Sequence, residues 1–187
     1  MGREDNRARL SGNWMGEFRT VRGDLLLEVE PSHDLLLRMA DSDVPVMRLS
    51  GASERIGVTA ASQDGRHLAA GGHEGVVYFW DLQNPNVLGK CVGHERGLRD
   101  LCFSPGGGSI LSLSDDGTVR IWHTATRAEL LRFGSGRERI FSMALSPDGT
   151  SLVFGVQCDE GYGLQIHRLG GHRDLLKDLD VSAFAAH

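Results

Sequence analysis

Trp80 and Trp122 stand 42 residues apart, and the turn pairs Asp64-Gly65, Gly106-Gly107 and Asp148-Gly149 repeat at the same spacing. A chain with such a period must fold as similar units that stack. No unit of about 40 residues buries its own apolar faces alone, and each neighbour completes the core of the next. Extending the frame backwards places Asp24 beside Gly23 and puts Arg38 where a third Trp would stand.

Within each period the pattern alternates with a repeat of two residues and is punctuated by turn residues, as expected for hairpin-linked strands. The third period is the cleanest. Leu98–Phe103 reads as a strand, Ser104–Gly108 as a turn, and Ser109–Ser114 as the next strand. Asp115-Asp116-Gly117 then turns tightly, Thr118–Trp122 places Val119 and Ile121 on one face, and Glu129–Phe133 closes the unit. The second period repeats this with strands at Gly57–Ala61, His67–Ala70, Val76–Trp80 and Val87–Val92. The fourth offers Ile140–Leu145, Ser151–Val156, Gly163–His167 and Leu175–Leu179, with three extra residues in Gln157–Tyr162. Val181–Ala185 follows as the start of a further strand. The first period is degenerate, with strands at Leu25–Glu28, Asp34–Arg38 and Pro45–Leu49. Segment 1–13 has no periodicity and is read as irregular.

Four-stranded units of this length ending in Trp-Asp (Trp80-Asp81) or its variant Trp-His (Trp122-His123) indicate propeller blades. The stretch Gly93-His94, Ser104-Pro105, Ser112, Asp116-Gly117-Thr118, Trp122-His123 resembles the WD40 repeat family, and the resemblance extends over Val21–Leu179. The expected fold is therefore all-β: a partial WD40-type β-propeller of about four four-stranded blades, approximately 14–52, 53–94, 95–136 and 137–180. The resemblance implies a buried network of His94, Ser112, Asp116 and Trp122. Asp116 takes a proton from the His94 ring, the other ring nitrogen serves Ser112, and the hydroxyl meets the Trp122 indole N–H. Trp80 is its counterpart in the second blade, where Ala52, Ala70 and Glu74 replace the His, Ser and Asp. His167 stands at the Trp position of the fourth. Closed rings of this family typically have seven blades. Four leave three arrangements open: a piece of a longer propeller, a ring completed by self-pairing or by another chain, and an open small propeller.

Composition narrows function. The 187 residues carry a formal charge of −5, which speaks against a nucleic-acid backbone partner. Cys91, Cys102 and Cys158 lack metal-ligand spacing and read as reduced thiols of a cytoplasmic or nuclear protein. No apolar run has the length of a membrane span, and the first ten residues lack the apolar centre of a signal peptide. The histidines have no i, i+4 helical pairing, Gly106–Gly108 has no following Lys-Ser/Thr, and there is no Gly-x-Ser-x-Gly. The expectation is a protein that is not an enzyme and carries no metal or cofactor.

In the family, the rim formed around the start of each blade's first strand is used most for binding. Here that register carries Arg55, Arg96, Arg99, Arg137, Arg139 and Phe141. Arg forms bidentate contacts with carboxylates and is a frequent interface anchor. The expected function is a protein-interaction scaffold for an acidic or phosphorylated peptide or surface. The plain alternatives are solvated surface charge and a purely structural arc of a larger propeller.

Overall fold

A computed structural model describes residues 7–9, 15–20, 23–39, 44–134, 139–158 and 161–169. Its described residues contain strands and no helix, in four antiparallel sheets. The first sheet is β2 (Met15–Thr20), β3 (Gly23–Val29), β4 (Leu35–Met39) and β5 (Pro45–Leu49). The second is β6 (Ile56–Ala61), β7 (His67–Gly72), β8 (Val77–Asp81) and β9 (Asn84–Cys91). The third is β10 (Leu98–Phe103), β11 (Ser109–Ser114), β12 (Val119–His123) and β13 (Glu129–Phe133), and the fourth is β14 (Arg139–Leu145), β15 (Ser151–Cys158) and β16 (Gly161–Arg168). Within each of these four sets the strands run in chain order, so every connection inside a set is a hairpin. A short β1 (Arg7–Arg9) pairs antiparallel with β6 and makes the second sheet five-stranded.

Period-two alternation decides what each sheet touches. In β8, Tyr78 and Trp80 face the first sheet, while Val77 and Phe79 face the third. In β12, Trp122 faces the second sheet, and Val119 and Ile121 face the fourth. Three cores follow, one per junction. Leu27, Leu35, Leu37 and Leu49 of the first sheet meet Ile56, Leu68, Ala70, Tyr78 and Trp80 of the second. Ala69, Val77 and Phe79 meet Leu98, Leu101, Ile110 and Trp122. Leu111, Leu113, Val119 and Ile121 meet Ile140, Met143, Leu152, Phe154 and Val156. With both faces of its sheet covered, β11 is buried at every residue, its three serines included. Each fully buried Leu, Ile or Val contributes about 1.5–3 kcal/mol, so these junctions carry most of the stability.

The 42-residue turns are physically alike. Gly65, Gly107 and Gly149 have φ of 67°, 71° and 71°, and each N–H donates to the carbonyl three residues earlier (Ser62, Ser104, Ser146). A positive φ at this turn position is what favours glycine there.

Three expectations are modified. The first sheet begins with β2, which degenerate patterning hid. Part of the segment read as irregular, Arg7–Arg9, forms β1. The extra residues of the fourth period lengthen a hairpin: pairing between β15 and β16 continues from Ser151↔Arg168 to Cys158↔Gly161, because antiparallel register persists as long as the two arms match. The expected strands Leu175–Leu179 and Val181–Ala185 lie outside the described residues.

Candidate functional site

The third sheet holds a continuous polar chain across its junction with the second. Trp122 Nε1 donates to Ser112 Oγ at 2.8 Å, and Ser112 Oγ lies 2.7 Å from His94 Nε2. His94 Nδ1 lies 2.9 Å from Asp116 Oδ2. One assignment satisfies every member: Trp122 N–H to Ser112, Ser112 O–H to Nε2, and Nδ1–H to Asp116. The local fold positions each group. Ser112 and Trp122 lie on adjacent paired strands, Asp116 lies in the β11–β12 turn, and His94 precedes β10. Gly93 lets the Arg120 guanidinium and the Trp122 ring pack close to the backbone; a Cβ there would displace Arg120.

Electrostatics favour the same protonation pattern. Burial pushes His94 below its ordinary value of 6.5. Asp116 works against this, but the nearby Arg120 guanidinium reinforces it, so the ring is neutral. Burial disfavours the Asp116 carboxylate, yet hydrogen bonds from Thr118, His94 and the Glu95 and Thr118 N–H groups outweigh it and hold its pKa at about 2. Arg120 is itself buried beside the Trp122 ring and pairs with Glu129 at 2.6 Å.

Trp80 does not join an equivalent side-chain chain. Its Nε1 donates to the Ser50 carbonyl at 3.3 Å, since Ala70 offers no hydroxyl. The turn that Asp116 holds in the third sheet is held in the second by Glu54, whose Oε2 accepts the Glu74 N–H at 2.6 Å. Sequence reading missed Glu54 because it lies two places from the His position of the period. The available signal was the simultaneous loss of His and Asp at Ala52 and Glu74. Glu54 is 4% exposed, its Oε1 has no partner, and burial raises its pKa despite the backbone donors. A raised folded pKa stabilises the protein while the carboxyl is protonated, and that stability is lost as pH rises through the folded value. Glu54→Gln is therefore expected to raise stability at neutral pH by about 1 kcal/mol, with no gain in acid. Urea denaturation at two pH values checks this.

The structure distributes the rim residues unevenly. Arg55 and Arg96 immediately precede or approach the starts of β6 and β10, Arg139 begins β14, and all three are exposed at the same end of three consecutive first strands. Arg99 lies within β10 and is paired with the Asp115 carboxylate. The Phe141 ring lies over Gly155 on the outer face of the fourth sheet and packs edge-on against Tyr162, with centroids 5.9 Å apart. Arg137 lies outside the described residues. Among the described residues, no three His, Cys, Asp or Glu side chains converge as a metal site.

The family model for the WD domain, G-beta repeat matches residues 43–81 and 85–123. These are the first sheet's last strand with most of the second sheet, and then its last strand with most of the third. Three relatives show the breadth of the similarity. Target of rapamycin complex subunit wat1 of Schizosaccharomyces pombe is 32% identical over 149 residues, covering 78% of this chain and 46% of its own. WD repeat and SOCS box-containing protein 1 of Homo sapiens is 35% identical over 92 residues, covering 48% and 22%. Echinoderm microtubule-associated protein-like 2 of Homo sapiens is 26% identical over 159 residues, covering 83% and 23%. The matched region thus spans less than half the length of each. With its Trp-ended, four-stranded repeats stacked through alternating faces, the chain carries WD40 repeats at residues 43–81 and 85–123.

Proposed function

We propose that this chain is a protein-interaction scaffold, and that Arg55, Arg96 and Arg139 form a recognition row for an acidic or phosphorylated protein segment. The observation that carries the reading is their recurrence, exposed, at one end of three stacked first strands. Rigid sheets beneath such positions hold the guanidinium groups at fixed spacing, which reduces the entropy lost on binding. Relatives named as a complex subunit and as a microtubule-associated protein support a scaffold role. Cys91 and Cys102 are buried outside any disulfide, and burial pushes the Cys91 thiol up to about 12, which favours a reducing compartment, the cytoplasm or nucleus.

The competing reading is a structural arc without a site of its own. It is favoured by Arg99, whose charge is already answered by Asp115. A fluorescent deca-glutamate peptide separates the two. Binding to the native chain that weakens about tenfold in Arg55→Glu/Arg96→Glu, and fades with salt, supports the recognition row. No binding, or binding that ignores both reversals while the melting temperature is unchanged, supports the structural arc.

A further inference from the structure

The first strands of the repeats differ at the edge that the second strands leave free. On β6 that edge is occupied: β1 lies antiparallel along it, with Arg7 opposite Ala60, Ala8 opposite Thr59 and Arg9 opposite Val58. Among the described residues, β10 and β14 carry no strand there. On β10 a side chain serves the main chain instead. Leu101 stands 42 residues after Thr59, and its N–H donates to the Asp100 carboxylate at 2.9 Å. The residue before Thr59 is Val58, which has no acceptor to offer. A strand edge without such cover is a template for an added strand. The ladder then gives affinity and the opposing side chains give specificity.

The resident strand leaves this edge incompletely satisfied. Thr59 is 3% exposed, and its Oγ1 has no hydrogen-bond partner. The reason lies in the register: Thr59 stands between two alanines, Ala70 on β7 and Ala8 on β1. Directly opposed residues of an antiparallel pair have Cβ atoms about 4.5–5.5 Å apart, within reach of a hydroxyl–hydroxyl bond. Alanine has no group to make one. A buried hydroxyl without a partner keeps its full desolvation penalty, and a serine or threonine opposite it removes that penalty.

We propose that the edge of β6 at residues 58–60 is a strand-addition site for an extended segment of a partner protein, one that carries serine or threonine at the place Ala8 holds, and that β1 is the resident competitor such a segment displaces. The unpartnered Thr59 hydroxyl selects this occupant. The same stretch of a second copy brings another alanine and gains nothing over the resident strand. It also lacks the high local concentration of a segment on the same chain. The site is separate from the arginine row and does not depend on it.

The chain itself supplies the probe. Two fluorescent peptides copy residues 4–12, one unchanged and one with Ala8→Thr, and are titrated by anisotropy into the full chain. The full-length variant Arg7→Pro/Ala8→Pro clears the edge, because one of two adjacent strand residues points its N–H at the neighbour and proline has none. The threonine peptide is expected to bind this variant about tenfold tighter than the alanine peptide does. Both should bind the native chain more weakly, since β1 competes. Adding Thr59→Val to the double-proline variant should erase the preference while both peptides still bind. Methylating the main-chain nitrogens of residues 7–9 in the peptide should abolish binding. Within the full chain, Ala8→Thr should raise the melting temperature, and should do so only where Thr59 is retained. Melting curves establish beforehand that each variant is folded. Four results would overturn the proposal: no peptide binding to the double-proline variant, equal affinities for the two peptides, a preference that survives Thr59→Val, or a native chain that binds as tightly as the double-proline variant.

Discussion

Trp80→Ala is expected to destabilise the protein by about 3–5 kcal/mol. Trp80 is fully buried, and it lies in the junction formed by Leu27, Leu35, Leu37 and Leu49 with Ile56, Leu68, Ala70 and Tyr78. Both walls are sheets whose backbones are fixed by their own ladders, so they cannot collapse into the space left by the indole. The residual cavity then adds to the lost transfer free energy. The Ser50 carbonyl also loses its indole donor. For a chain of this size the loss should lower the melting temperature by roughly 10 °C. The comparison variant is Trp80→Phe, which keeps part of the volume and should cost less than half as much. Equal losses in the two would mean that the hydrogen bond, not packing, dominates. A negligible loss in Trp80→Ala would mean that the first two sheets are not packed as described.

Ser112→Ala is expected to cost about 2–4 kcal/mol although it removes a single oxygen atom. That atom serves both the Trp122 indole and His94 Nε2, and the substitution leaves a donor and an acceptor buried without partners. Calorimetry should show a loss several times that of Ser146→Ala, a serine in a more exposed turn. The same network sets the acid limb of the stability curve. His94 has a lowered pKa, so its contribution is complete above 6.5 and is lost as pH falls through that value toward the folded one. Asp116 adds a second loss, as pH falls from 3.8 to about 2, worth up to about 2 kcal/mol. His94→Gln should flatten the first limb and Asp116→Asn the second. An unchanged stability profile between pH 7 and 5 in His94→Gln would show that the histidine does not carry it.

Trp80, Trp122 and the turn glycines made the repeat legible because they answer local requirements. A Trp on the third strand of a unit fills a junction, and Gly65, Gly107 and Gly149 occupy a positive-φ position three residues after a serine. The hydrogen-bonded set His94, Ser112, Asp116 and Trp122 was legible through family resemblance, since its members are spread over 29 residues with no periodic relation among themselves. Glu54 was not legible. It takes hold of a turn 20 residues away, from a position that is Arg96 in the neighbouring third period. Phe141 was assigned to the rim by register. A register irregularity between Ile140 and Ser142 sits at this position, and the ring folds onto the sheet beside Tyr162.

The sequence by itself determined the all-β class, the 42-residue unit, the hairpin turns and the sharing of one strand face by Val119 and Ile121. Strand alternation and turn φ are properties of a few adjacent residues, so local pattern contains them. Only the tertiary structure decided that β1 joins β6, that Glu54 replaces a missing His–Asp pair, and that Arg99 is neutralised by Asp115. It alone also showed Tyr162, Leu164 and Ile166 exposed on the face of the fourth sheet turned away from the third. Those outcomes depend on which groups distant in the chain are brought within hydrogen-bond or van der Waals reach, and on which remain uncovered once the junctions have formed.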